Sequence, residues 1–255
     1  MNYAGQWTHT APERQPRKVH TMTTQLPQCW QDVSVTLEAG LSRLCLYGPP
    51  GTGKTYSALT HGVNDAGSFR LTCVDDMTTA QIEGMWKPTR DGWTFHEGPA
   101  VRAWRNGGRL VVDEVDKASG DVLGALLAFT DSDQSARWEH PDTGEIVRPA
   151  DGFSVVITTN SHPNALAEAL RDRFPVRVLV DEPHPEALEM LPDYLREPAR
   201  LLANVDEDRR QSLRAFHALA QLAEKVGLER AANLVMPDHA ESIVTAKRIQ
   251  DVGAE

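Results

Sequence analysis

Five short runs of apolar and β-branched residues punctuate the first two thirds of the chain. They are Leu41–Tyr47, Phe69–Val74, Arg109–Asp113, Phe153–Thr158 and Val176–Val180. Each has the length of a strand, and segments of helical period lie between them. Strands that alternate with helices form βαβ units, so the pattern predicts an α/β fold with a five-stranded parallel sheet. One helix is expected to start near Gly53. Another is expected near Thr78 or Thr79, where Thr78 and Gln81 have capping-box spacing. A third follows Ser119-Gly120, where Val122, Leu123, Leu126, Leu127 and Phe129 share one helical stripe. Two turn signals interrupt this alternation. Asp91-Gly92 lies between Trp86 and Trp93, and Pro141-Asp142-Thr143-Gly144 lies between Trp138 and Ile146. Each predicts a hairpin, one near 86–97 and one near 137–148.

Strand signals stop after about Pro183. Beyond it, Leu213, Phe216, Ala220, Ala223 and Val226 recur at helical spacing. The expected organisation is a flexible polar arm over 1–24, an α/β core over 25–182 and a small all-helical unit over 183–255.

Composition narrows the class. The chain has 255 residues, long enough for a substantial core, and a formal net charge of −10, which disfavours general polyanion binding. No run of about 18 apolar residues occurs and the N-terminal segment has no apolar leader, so neither a membrane span nor secretion is expected. Cys29, Cys45 and Cys73 are scattered and odd in number, which fits a reducing cytoplasm better than a disulfide or zinc framework. Arginine outnumbers lysine, a weak pointer to a high-GC bacterial or phage genome.

The segment Gly48-Pro49-Pro50-Gly51-Thr52-Gly53-Lys54-Thr55 satisfies the phosphate-binding loop pattern, with Tyr56 following it. Glycines let successive backbone N–H groups converge on one anion. In such loops the lysine reaches the β- and γ-phosphates and the hydroxyl of the last residue ligates Mg²⁺. Lys54 and Thr55 take those places here.

Hydrolysis needs further groups. The run Arg109–Asp113 ends in Asp113-Glu114, placing one carboxylate for the Mg²⁺ shell and a second to polarise water as a general base. The fourth strand leads to Asn160, whose amide can bond the attacking water or the γ-phosphate. Arg171 and Arg173, in Ala169-Leu170-Arg171-Asp172-Arg173-Phe174, are candidates for an arginine supplied to a neighbouring subunit. The dinucleotide fingerprint lacks its third glycine, because Tyr56 stands there, and no kinase motif set is present.

Together these residues resemble an AAA+ ATPase, and more narrowly its MoxR-like, dynein-related branch. The narrower likeness lies in Gly84-Met85-Trp86-Lys87, then Trp93 to Glu97 followed by Gly98-Pro99-Ala100, then the Asp113-Glu114 strand. The resemblance spans about 30–252. It implies a three-layer P-loop sandwich with a helical lid, ATP and Mg²⁺ as cofactors, with GTP used in one related branch, and ATP hydrolysis. It also implies Asn160 as sensor 1, Arg173 as the trans-acting finger ahead of Arg171, and Arg248 as a lid residue reaching the γ-phosphate. A homo-oligomeric, hexameric ring follows, with the two hairpins facing a central pore and a protein client as the expected load. A nucleic-acid load is the alternative, since 86–105 carries Lys87, Arg90, Arg102 and Arg105 against Asp91 and Glu97, with Trp86 and Trp93 available for stacking.

Overall fold

The computed structural model describes residues 26–253 apart from 119, 133, 204 and 206–208. The arm expected over 1–24 lies outside these residues. Five strands form one sheet: β1 (Arg43–Tyr47), β2 (Ser68–Thr72), β5 (Arg109–Asp113), β8 (Ser154–Thr159) and β9 (Val176–Leu179). Their spatial order is β2-β5-β8-β1-β9, and every pairing is parallel. The strand carrying the phosphate loop is therefore interior, with β8 and the edge strand β9 on either side.

Alternation along each strand explains why both faces are covered. Leu44, Leu46, Val111 and Val156 point to one face, where they pack with Trp30, Val33, Leu37 and Ala58. Cys45, Leu110, Val112, Val155 and Ile157 point to the other, where they meet Trp104, Leu126 and Phe129. A parallel sheet buried on both sides reads as a continuous apolar run, as these strands do.

The first face is closed by α1 (Gln28–Glu38), a helix that the strand-centred reading of the sequence did not anticipate, and by α2 (Lys54–Thr60). Cys29, Trp30, Val33 and Leu37 recur at helical spacing and are all buried. Arg109, buried at the start of β5, donates to the carbonyls of Ala58, His61 and Gly62. It satisfies the orphan acceptors at the end of α2 and ties the phosphate-loop helix to the Asp113 strand. The second face carries α4 (Pro99–Asn106) and α5 (Gly120–Phe129), with the Trp104 ring tilted against that of Phe129 at 4.6 Å between centroids.

The expected hairpins are both present. After the short α3 (Ala80–Glu83), β3 (Gly84–Thr89) pairs antiparallel with β4 (Gly92–Glu97) around Asp91-Gly92. The backbone of Thr78 donates to Gln81 Oε1 at 3.0 Å, one half of the capping box. The hairpin's base is pinched: a Cβ on Gly98 would stand 2.3 Å from the Ile82 carbonyl oxygen. The second hairpin joins β6 (Trp138–Glu139) to β7 (Ile146–Val147). The two hairpins touch. Phe95 lies 5.9 Å from Trp138 and 5.2 Å from His140, and Arg105 bonds Glu97 at 2.5 Å and Glu145 at 2.8 and 2.9 Å.

After α6 (Glu168–Arg173) and β9, the chain is helical: α7 (Pro185–Glu189), α8 (Asp193–Ala203), α9 (Leu213–Val226), α10 (Leu228–Val235) and α11 (Ala240–Gly253). These helices hold a core of their own, built on Leu191, Leu195, Leu213, Phe216, Leu219 and Ile243. Among the described residues no helix is long and apolar enough to cross a membrane.

Candidate nucleotide site

The loop from Gly48 to Thr55 leaves the C-terminal end of interior strand β1 and turns into α2. Ligands of open α/β sheets bind at this edge. Gly51 has a φ of +80°, and a Cβ added to it would stand 2.6 Å from Ser212 Cβ, so only glycine fits there. Thr52 is buried, its hydroxyl donating to the Pro49 carbonyl at 3.2 Å. The loop is backed by Trp30, whose ring lies 3.6 Å from a Cβ built on Gly53 and whose Nε1–H donates to the Glu182 carbonyl at 2.8 Å.

Lys54 is only 6% exposed. Its ammonium donates to the Gly48 carbonyl at 2.8 Å, the Pro49 carbonyl at 2.6 Å and Asn160 Oδ1 at 3.1 Å. Among the described residues no carboxylate pairs with it. Burial pushes its pKa down to about 8; Asp113 pulls it back up, while Arg214 and Arg210 push it further down. A buried cation hydrogen-bonded only to carbonyl oxygens, with no carboxylate in contact, suits an anion from outside the chain.

Asp113 ends β5 beside it. Oδ1 accepts from Thr55 Oγ1 at 2.7 Å and from Thr158 Oγ1 at 2.5 Å, and Oδ2 pairs with Arg70 at 2.5 Å. Burial alone would raise this carboxyl, but the bonds from Thr158, Thr55 and Arg70 outweigh it and hold the pKa below the ordinary value. A hydroxyl and an ionised carboxylate in contact form an oxygen donor set suited to Mg²⁺.

Glu114 follows with a φ of +55°, the one non-glycine residue with positive φ among those described. Left-handed backbone at a glutamate is strained, and such strain clusters at functional sites. Its carboxylate pairs with Lys117 at 2.5 Å. Asn160 follows directly after β8, between two hydroxyl residues anchored to one carboxylate: Thr159 Oγ1 donates to Asp116 at 2.8 Å and Ser161 Oγ at 3.3 Å.

These groups enclose a cleft of about 300 Å³. Of the residues expected there, Pro50, Gly51, Gly53, Lys54, Thr55 and Tyr56 line it. So do Asp113, Glu114 and Asn160. Gly48 and Pro49 take part through the carbonyls that hold Lys54.

Arg173 and Arg248 lie elsewhere. Arg173 sits beside Arg43 and Val176, at the starts of β1 and β9, with Asp131 at 3.8 Å. The loop leaves the other end of β1, about 13 Å away at roughly 3.3 Å per residue, so Arg173 cannot serve its own cleft. Arg171 is placed near Glu168 and Arg177. Arg248 lines a depression on the C-terminal helices with Glu229, Asn233 and Glu241, not the phosphate cleft.

Five cleft residues escaped the sequence reading: Arg70, Thr72, Thr158, Thr159 and Arg214. Arg214 carried a signal. It occupies the first turn of α9, behind the Ser212 cap, where a cation opposes the helix dipole and local stability gives it no reason to be. Arg70 and Thr158 carried none, because strand pairing alone brings them to Asp113.

Residues 43–174 match the AAA domain of the dynein-related subfamily. The chain is 26% identical over 228 residues to an uncharacterized protein of Staphylococcus epidermidis, covering 78% of this chain and 84% of that one. It is 30% identical over 142 residues to an uncharacterized protein of Staphylococcus aureus, covering 52% and 53%. Among solved structures, NtrX from Brucella abortus in complex with ADP aligns with a TM-score of 0.51 at 16% identity, covering 77% of this chain and 49% of that one, which speaks for the fold alone. The chain thus spans about half the length of the S. aureus relative and of NtrX. With the family match extending from the first strand of the sheet to Phe174 and taking in the loop, Asp113-Glu114 and Asn160, the chain belongs to the dynein-related branch of the AAA+ ATPases.

Proposed function

We propose that this protein hydrolyses ATP and uses the cycle to remodel or activate a protein partner. The observation that carries the reading is the meeting of Lys54, Asp113, Glu114 and Asn160 in one cleft. Bound Mg²⁺–ATP would supply the phosphoanhydride and a cation that spreads its charge. Lys54 binds the β- and γ-phosphates, and Thr55 and Asp113 hold the cation. Glu114 orients the attacking water and accepts its proton. Asn160, kept in place by Asp116, positions that water and Lys54. Arg214 reaches the phosphates from the C-terminal helices in the role the sequence suggested for Arg248.

Arg173, remote from its own cleft, acts on that of a neighbouring copy, and head-to-tail contacts of this kind close into a ring, by family resemblance a hexamer. The hairpins carry the motion to the client. Exposed Trp86 and Trp93 on one face of β3–β4 support a second reading, with single-stranded nucleic acid as the load. Three buried free cysteines suit work in the cytoplasm.

The test is Glu114→Gln. It should keep nucleotide affinity within about threefold and lose roughly 10²-fold or more in turnover. Normal turnover would remove Glu114 from the base role. Mixing Arg173→Ala with Lys54→Ala protein should restore part of the lost activity, whereas an inactive mixture in which both chains demonstrably share rings would exclude a trans-acting arginine.

A further inference from the structure

Arg70 reaches the cleft from β2, the edge strand of the sheet, where its register partner on β5 is Val111, two residues before Asp113. Its side chain is 51% exposed, and that of Asp113 only 9%. An arginine at the open edge thus reaches inward to a buried carboxylate and places a guanidinium 2.5 Å from Oδ2. The other oxygen, Oδ1, faces the hydroxyl of Thr55. The carboxylate therefore has one side toward the residue read as its co-ligand for a divalent cation and the other on a cation from the chain itself.

We propose that Arg70 is an internal counter-ion that exchanges with the divalent cation. It neutralises Asp113 while the cation is absent and swings out toward solvent once the cation takes the carboxylate. The idea rests on the nucleotide reading above. The physical reason is charge balance: without Arg70, an incoming polyphosphate would meet a bare carboxylate beside the phosphate loop, and like charges in a partly buried cleft repel strongly. Arginine cannot release this charge by losing a proton, so the exchange proceeds by side-chain movement. Half exposure and a long stem leave it free to move. Because Arg70 and the cation compete for Asp113, their binding is linked, and removal of one strengthens the other. Arg70 is a positioning residue in this scheme.

The experiment measures the affinity of a fluorescent ATP analogue by anisotropy, in excess EDTA and in saturating MgCl₂. Wild type, Arg70→Gln and Arg70→Lys are compared. In Arg70→Gln the ratio of the two affinities should widen by about tenfold, through weaker cation-free binding while affinity in saturating MgCl₂ stays unchanged. Arg70→Lys should stay within about threefold of wild type, since a point charge still balances Asp113. A merely structural Arg70–Asp113 pair would lower thermal stability and leave the ratio unchanged, and an unchanged ratio in folded Arg70→Gln overturns the proposal. Independently of that variant's folding, the Arg70 side-chain NMR resonance of wild type, assigned with Arg70→Lys, should move when Mg²⁺ is added to the nucleotide complex. A resonance that does not move also overturns it. If wild type binds the analogue in neither buffer, the nucleotide reading fails and the role of Arg70 with it.

Discussion

A Cβ on Gly51 would lie 2.6 Å from Ser212 Cβ, so the phosphate loop and the start of α9 are in contact through a position only glycine can occupy. This contact brings Arg214 to the cleft two residues later. It gives the loop and the C-terminal helices one shared boundary.

Gly51→Ala should therefore fail in two ways. The φ of +80° strains any L-residue by about 1–3 kcal/mol, and the new methyl collides with Ser212. The expected result is a melting temperature lower by roughly 2–10 °C and nucleotide affinity weaker by about tenfold or more. Adding Ser212→Gly should recover part of the affinity by removing the collision and leave the backbone strain. Calorimetry and nucleotide titration on both variants check this; no recovery would mean that strain alone is responsible.

Lys54 sets a pH dependence for binding. Burial has brought its pKa down to about 8, and an anion in the loop raises it again. Well below pH 8 the ammonium is already protonated and binding takes up no proton. Above it, until the bound-state value is reached, binding must take up a proton, so affinity falls by up to about tenfold per pH unit. Titration calorimetry in buffers of different ionisation enthalpy should find proton uptake near pH ~8.5 and almost none near pH ~6.5. Lys54→Arg should abolish that uptake, because a guanidinium stays charged throughout.

The two arginines of the C-terminal helices should separate cleanly. Arg214→Ala removes a charge from the cleft and should weaken nucleotide binding or turnover by about tenfold or more. Arg248→Ala, in a depression shared with Glu229 and Glu241, should stay within about twofold on both measures. Steady-state kinetics of the pair decide the assignment, and the reverse order would restore the sequence-based choice of Arg248.

Arg105 ties the hairpins to each other through Glu97 and Glu145. Arg105→Ala should cost about 1 kcal/mol or less in global stability, since the bridge is partly exposed. Amide exchange should nevertheless accelerate in both 84–97 and 138–147, while the sheet stays protected. Acceleration in neither hairpin would show that the aromatic contacts of Phe95 suffice to couple them.

Much of this was legible in the chain because it is local. The apolar runs give the five strands, since a strand buried on both faces needs consecutive apolar residues. The phosphate loop is written in eight consecutive residues, and Asp113-Glu114 and Asn160 are marked by their places at strand ends. Both hairpins follow from turn chemistry at Asp91-Gly92 and Asp142 to Gly144. What only the tertiary structure decided is which distant residues share a site. Arg70 meets Asp113 because β2 pairs with β5, Trp30 backs Gly53 because α1 covers that face of the sheet, and Arg214 replaces Arg248 at the cleft because Ser212 packs on Gly51. Periodicity encodes which face a residue takes on its own element; the neighbour that face will meet is fixed by sheet order and helix packing, which no local pattern contains.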